Sequence, residues 1–498
     1  MRQRLRVGLT AMTTIGLAVW CLMPNNIIAH NTDLDEGVYL MVGRLLHRGY
    51  ETHVFFFDQF WLFPKIIAAA FGLFGDSLIA ARLIVFAFSL LGLLGVAALT
   101  YQLGGGRIAA MAAILIEALN PLYIRGSRMA LADVPVASCI VWALVFIFLF
   151  RNRSSRIWLA LGGLCAGMAL VLKPFAIGFV VTIVILLVYK RSRRENGTWN
   201  IDHAIWTDLI IFSAMAILAA APFVDFMHPI QEYQRVIGFH WAERDWLIKR
   251  VDDRWRGLLR FAKLNLPVLL FAISGLFALR PLPKSIIALL IGELVTTGIL
   301  LDMPPWIHHY ILILPVLIVF CVLGFDRVII RFKKFISDFR DRREPLSGNK
   351  WAAILFAIAV LASMIDVPWL IKYDWRERWP RPLLVEPVVR HLEETFGPND
   401  YLISDDALVV YLANRLIPPK AINFVFDDVL RFDPMAFPAF ERVVREDKVA
   451  GIIVTTRYAR DRRLMAWLAA NCSTSTEIGT YRRDEVTARI YETNKQQP

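Results

Sequence analysis

Charge is scarce in this sequence, and cysteine is scarcer. Asp, Glu, Lys and Arg make up 20% of 498 residues against 57% hydrophobic ones, which excludes an ordinary soluble globular chain. Of five cysteines, Cys21, Cys139, Cys165 and Cys321 fall inside apolar runs, and Cys472 stands alone in the C-terminal tail. A disulfide within that tail is therefore excluded, and no cysteine pair has metal-site spacing. Low-complexity tracts and internal repeats are missing too.

What is plentiful is apolar length. Several runs reach the roughly 20 residues that cross hydrocarbon as a helix, so the expected fold class is an all-α polytopic membrane domain. The net charge of +12 does not imply nucleic acid, because Lys and Arg concentrate in short loops beside the apolar runs. That is the positive-inside signature, and the partner it implies is membrane lipid.

Arg2, Arg4 and Arg6 precede an apolar run from Val7 to Met23, which places the N-terminus in the cytoplasm. No small-residue cleavage site follows, so this reads as an uncleaved first span. Further spans are expected at about 80–103, 107–124, 134–150, 157–172, 175–189, 208–224, 259–279, 285–301, 309–326 and 351–370, about eleven in all. The piece at 61–75 is too short to cross. Laid flat as an interfacial helix, it leaves every basic loop on the cytoplasmic side, Arg327 to Arg343 among them.

From about Tyr373 the composition becomes that of a soluble domain, giving a boundary between residues 1–372 and 373–498. Helices are expected at 387–396, 406–414, 439–447 and 462–470. Strands are expected at 401–404, 421–425, 451–455, 478–482 and 487–492, together a small α/β domain. After an odd number of spans it lies outside the cytoplasm. The location expected is the cell (inner) membrane.

The outer loops hold the chemistry-bearing residues. Asp33, Asp35 and Glu36 follow the first span within four positions, and packing gives no reason for three acids there. Asp33 can cap a helix whose first turn carries Asp35 and Glu36. A carboxylate in a partly dry site can also act as a general base. Cations at the outer ends of spans run against the positive-inside bias: Arg82, Arg125, Arg128 and Lys173. With Tyr310 they suit an anionic phosphate, although long cations also snorkel to an interface. His308 and His309 are adjacent and diverge on a helix, which disfavours one metal between them. Phosphate hydrogen bonds suit them better, and no metal or other cofactor is required. Glu293 lies mid-span with no partner evident in sequence, and its role stays open between structure and function.

These residues carry a resemblance. Asp35-Glu36-Gly37-x-Tyr39, Leu73-Phe74-Gly75-Asp76-Ser77-x-x-x-Ala81-Arg82-Leu83 and Arg128-x-x-x-x-Asp133-x-Pro135 occur in order. Gly167-x-Ala169-Leu170-x-x-Lys173-Pro174 and His309-Tyr310-x-x-x-x-Pro315 follow. Together they resemble the polyprenyl-phosphate-sugar-dependent integral-membrane glycosyltransferases of GT-C fold, which include protein O-mannosyltransferases and the aminoarabinose–lipid A transferase. The resemblance implies that Asp35 is the catalytic base and Glu36 its neighbour. It places the donor phosphate at Arg128, Lys173 and His309. Asp133 is counted with the catalytic carboxylates, as the group that positions an arginine across the site. One departure is local: where many members carry a Lys-Pro-Pro-Leu element, this chain reads Trp61-Leu62-Phe63-Pro64-Lys65.

The function expected is transfer of a sugar from a polyprenyl-phosphate donor to an acceptor hydroxyl outside the cytoplasm, by one inverting displacement. The acceptor is a lipid, a polysaccharide or a protein. The rival readings are a transporter or lipid-linked-sugar flippase, and a non-catalytic sensor. A transporter is expected to show paired repeats and a midplane site, and the sequence has neither. A sensor leaves the acids at Asp35 without a purpose.

Overall fold

The computed structural model describes residues 14–23, 34–195, 198–226, 228–250, 254–303, 306–323, 385–425, 429–430, 435–455, 458–481 and 486–493. Asp33, the basic loop Arg327 to Arg343, the span expected at 351–370 and the boundary at 372/373 lie outside the described residues.

The chain is mostly helical. Residues 14–22 form α1, followed by α2 (Leu34–His47), α3 (Leu62–Phe74) and α4 (Leu78–Gln102). Next come α5 (Arg107–Ala118), α6 (Pro121–Arg128), α7 (Asp133–Arg153), α8 (Arg156–Leu172) and α9 (Ile177–Arg191). A short antiparallel hairpin, β1 (Ser192–Glu195) and β2 (Thr198–Ile201), precedes α10 (Ala204–Ala220). Then follow α11 (Pro229–Tyr233), α12 (Phe239–Arg250), α13 (Arg254–Leu264), α14 (Leu266–Ala278), α15 (Lys284–Leu301) and α16 (Leu314–Leu323). Among the described residues α4, α7, α15 and the helix Ala204–Phe223 are long and apolar enough to cross a membrane, and two bent pairs bring the total to six at most. Helices α3, α8, α16 and Pro174–Lys190 are apolar but shorter.

Two expected spans are corrected. The one at 107–124 stops at Ala118 and turns by 67° into α6. Asn120 causes the turn: its side chain accepts from the amides of Leu122 and Tyr123, and Pro121 opens the new helix with no N–H to satisfy. The one at 259–279 bends by 84° between α13 and α14, at Asn265 before Pro267. Asn120 Nδ2 donates to Asn265 Oδ1 at 2.5 Å, so each break supplies the other's buried polar partner. Such irregular backbone needs protein around it at membrane depth.

The C-terminal part holds α17 (Glu386–Thr395), β3 (Leu402–Ser404), α18 (Ala407–Leu412), α19 (Ala436–Glu446), β4 (Gly451–Val454), α20 (Arg462–Asn471), β5 (Cys472–Tyr481) and β6 (Val486–Thr493). The sheet runs β3-β4-β6-β5, parallel at the first pair and antiparallel elsewhere. The strand expected at 421–425 is instead a 3₁₀ segment, Pro419–Val425. Ala421 to Val425 are all buried, as β3 and β4 are, so burial does not set them apart; backbone pairing does. Its backbone pairs elsewhere: the Phe56 amide donates to Pro419 O at 3.1 Å and the Asn423 amide to Phe56 O at 3.2 Å.

This part is clamped to α2 and to the turn after α3. Arg44 on α2 donates through Nε to Asp76 Oδ2 at 2.6 Å and through Nη1 to Tyr411 O at 2.8 Å. Its guanidinium lies 3.8 Å over the Tyr411 ring, and the Tyr411 hydroxyl closes the triad on Asp76 at 2.9 Å. Gly37 marks the closest approach: a Cβ there would stand 2.4 Å from the Leu408 backbone nitrogen. Gly43 permits the same against α3, where a Cβ would meet Ile67 Cγ2 at 2.5 Å. Helix α2 is thus held from both sides. Gly37→Ala is expected to destabilise the protein by about 1–3 kcal/mol through overpacking against backbone, read as a lower thermal midpoint in detergent. An unchanged midpoint would mean that α2 and α18 can separate without cost.

Candidate active site

The two acids at the head of α2 have different surroundings. Glu36 is fully buried and takes a bidentate ion pair from Arg82, with Nε and Nη2 each at 2.8 Å. The Ala130 amide also donates to Glu36 Oε1 at 2.8 Å. This carboxylate joins α2, α4 and the turn before α7. Arg82, expected near phosphate, is 2% exposed and donates to both oxygens of Glu36. Asp35 is different: its side chain is 32% exposed, and its Oδ2 lies 3.9 Å from His308 Nε2.

A second ion pair sits nearby in the fold. Asp133, in the first turn of α7, accepts from Lys173 Nζ at 2.7 Å, with both groups buried. Lys173 ends α8 because Pro174 follows, and the residue before a proline is driven to extended backbone (φ −150°, ψ 124°). That turn aims the ammonium at α7. The apolar segment expected at 309–326 begins as a 3₁₀ turn, Ile307–Leu312, which brings His308, His309 and Tyr310 into the interior. The two imidazoles meet edge to face, centroids 4.5 Å apart; His309 also lies against Phe175, and Tyr310 stacks on Phe261. His309 Nδ1 and the Tyr310 hydroxyl are buried with no hydrogen-bond partner among the described residues. Such groups are suited to receive a ligand.

Donor atoms of Asp133, His308 and His309 lie within 4.8 Å of one another. Lys173 already places a cation on Oδ1 of that aspartate, so a metal ion there would share the carboxylate with the ammonium. Arg128 is buried, and its Nη2 donates to Cys21 O, tying α6 to α1. Arg125 is half-buried on the same helix. Glu293 is buried in α15, and its oxygens have no hydrogen-bond partner among the described residues.

One cluster was not singled out by sequence. His240 on α12 has Nε2 at 3.6 Å from Asp58 Oδ2 and Nδ1 at 3.3 Å from Glu243 Oε2. Burial pushes the Asp58 carboxyl up, opposed by His240. Burial pulls the His240 imidazole down, but the hydrogen bond to Glu243 and the two carboxylate charges outweigh it and leave the group raised. Lys173 acts on the charge of both His240 and His309, so this cluster lies within electrostatic reach of the second ion pair. Arg235 fastens the same segment by donating to Phe57 O and Gln59 O at 2.5 and 2.7 Å. The available signal was His240-x-x-Glu243, one helical turn apart, inside a stretch dominated by interfacial aromatics.

The class defined by this fold and site is a multi-pass membrane protein with paired buried ions beneath one partly exposed acid. Residues 61–218 match the model of the dolichyl-phosphate-mannose-protein mannosyltransferase family. The structure resembles ArnT from Cupriavidus metallidurans in its apo state, with TM-score 0.66, 14% identity and all of both chains covered. ArnT bound to undecaprenyl phosphate gives 0.63 at 14% identity, over 99% of each chain. The arabinofuranosyltransferase AftD from Mycobacteria gives 0.52 at 13% identity, over 99% of this chain and 40% of that one. No curated protein matches the sequence. The resemblance to polyprenyl-phosphate-dependent glycosyltransferases of GT-C fold therefore holds, in the family match and in the fold.

Glu36 was expected beside Asp35 at the chemistry, but it is enclosed by Arg82. Glu36→Gln breaks the buried ion pair with Arg82, and breaking such a pair costs about 3–5 kcal/mol. Thermal unfolding in detergent is expected to show that loss, with Asp35→Asn unaffected. A stable Glu36→Gln protein that fails to turn over would put Glu36 in the reaction.

Proposed function

We propose that the protein is an integral-membrane glycosyltransferase that moves a sugar from a polyprenyl-phosphate donor to an acceptor hydroxyl at the extracytoplasmic face. The observation that carries this reading is the unequal treatment of two adjacent acids. Glu36 is spent on the scaffold, whereas Asp35 stays partly open beside His308.

Asp35 takes the proton of the acceptor hydroxyl as its oxygen attacks the anomeric carbon. The bond from that carbon to the phosphate oxygen breaks, and polyprenyl phosphate leaves from the opposite face. One displacement inverts the anomeric centre. Charge growing on the departing phosphate is met by Lys173, and by His309 and Tyr310, whose polar atoms have no partner among the described residues. Such contacts strengthen in the transition state. Asp133 holds the Lys173 ammonium in place until the phosphate arrives, a positioning role toward lysine where an arginine was expected. Arg128 and Arg125, on one helix, complete the positive side at a greater remove. The C-terminal part then belongs to the extracytoplasmic side, with the N-terminus in the cytoplasm.

The test is Asp35→Asn. Asn keeps the shape and hydrogen-bonding capacity of Asp but accepts no proton at neutral pH. Transfer from a polyprenyl-phosphate sugar is expected to fall on the order of 10²–10⁴-fold with donor binding retained. Transfer at the wild-type rate would remove the base from this mechanism.

A further inference from the structure

The C-terminal part reaches the His240 cluster through one side chain. Asn423 is fully buried in the 3₁₀ segment Pro419–Val425. With its NH₂ turned to the carboxylate, its amide donates to Asp58 Oδ1 at 3.3 Å and accepts the Asp58 N–H at 3.2 Å. The Asn423 backbone amide is meanwhile fixed on Phe56 O. Asp58 in turn faces His240, which Glu243 holds from the other ring nitrogen, and the Gln59 amide lies 3.2 Å from His240 Nε2. The charged and titratable groups acting on His240 are Asp58, Glu243 and Lys173; His309 is influenced by it, and Arg235 acts on Asp58.

We propose that Asn423 is a positioning residue of the transfer site: it fixes the Asp58 carboxylate against His240, so that this face meets the donor phosphate with one net negative charge instead of two. The inference rests on the transferase reading. Two carboxylates and one imidazolium sum to minus one, and loss of the imidazolium proton makes minus two beside Lys173. A second like charge at short range repels the incoming phosphate. Asn423 holds the Asp58 carboxylate where its charge acts on His240, and that charge keeps His240 protonated. The device spans a loop, a helix and the C-terminal part, so no single element can set it.

The sign follows directly. Well below the ordinary histidine value of 6.5, His240 is protonated with or without Asn423, and donor KM is the same in both proteins. Above that value the wild type keeps the proton to higher pH than the variant, in which Glu243 alone still raises His240. Above both titration ranges, the two proteins converge. The experiment uses the full-length protein in detergent, comparing Asn423→Leu with wild type from pH 5.5 to 9 on a polyprenyl-phosphate sugar. Donor KM is expected to rise roughly tenfold in Asn423→Leu just above the ordinary histidine range, with kcat little changed. Histidine-labelled NMR, with the His240 signal assigned through His240→Gln, is expected to show His240 titrating lower in Asn423→Leu. Asn423→Ala takes its place if the leucine variant fails to fold, since it removes the amide and leaves the Asp58 carboxylate in the chain. A KM ratio independent of pH, or an unmoved His240 titration, overturns the inference. Absence of transfer by the wild type at every pH instead defeats the transferase reading, while the NMR result still decides the role of Asn423.

Discussion

The Glu36–Arg82 pair is the constraint on which the rest of the site depends. Both groups are removed from water, and two charges there are tolerable only with close geometry and further hydrogen bonds. The bidentate contact and the Ala130 amide supply both. Because the carboxylate sits in the first turn of α2, its fixation also fixes Asp35 one residue earlier. The reach to Ala130 sets the backbone three residues before Asp133, the partner of Lys173. One buried ion pair thereby registers the acid of the first outer loop against the cation at the end of α8. Replacing the pair with apolar residues could preserve stability, as such replacements often do, but it would release that register.

The C-terminal part acts on the same helix from outside. Arg44, Asp76 and Tyr411 close one triad, and Gly37 lets the Leu408 backbone come within a distance that any side chain would forbid. Phe56 and Asn423 extend the contact to the loop that carries Asp58. These are short polar contacts between segments more than 300 residues apart in sequence, for example Arg44 to Tyr411. Their loss would free the loop that borders the site without touching the membrane helices.

The helical membrane architecture was legible because hydrophobic length and loop charge are local properties. The edges were legible where capping chemistry is local as well, as at Pro174 after Lys173. Asn120-Pro121 and Asn265-Leu266-Pro267 carried the same kind of signal, but it was absorbed into continuous apolar runs, and the two bends were missed. The strand expected at 421–425 failed because a short buried apolar stretch does not say what its backbone pairs with: β3 and β4 pair in the sheet, this one with Phe56. Pairing was the least legible feature. That Arg82 would serve Glu36 and that Lys173 would serve Asp133 follows from tertiary register, which no spacing in the sequence encodes. His240 was hidden for a similar reason: half of its significance lies in Asp58 and Asn423, on two other segments.

The central claim is a single displacement in which an acceptor oxygen replaces polyprenyl phosphate on the sugar. The anomeric configuration of the product tests this most directly. Purified protein would be supplied with polyprenyl-phosphate sugars of defined anomeric form and an acceptor extract, and the new linkage read by NMR coupling constants. The account predicts a product of inverted configuration, formed with one released polyprenyl phosphate per sugar transferred. A product of retained configuration would contradict it, because retention requires a second displacement for which Asp35 would have to be the nucleophile and not the base.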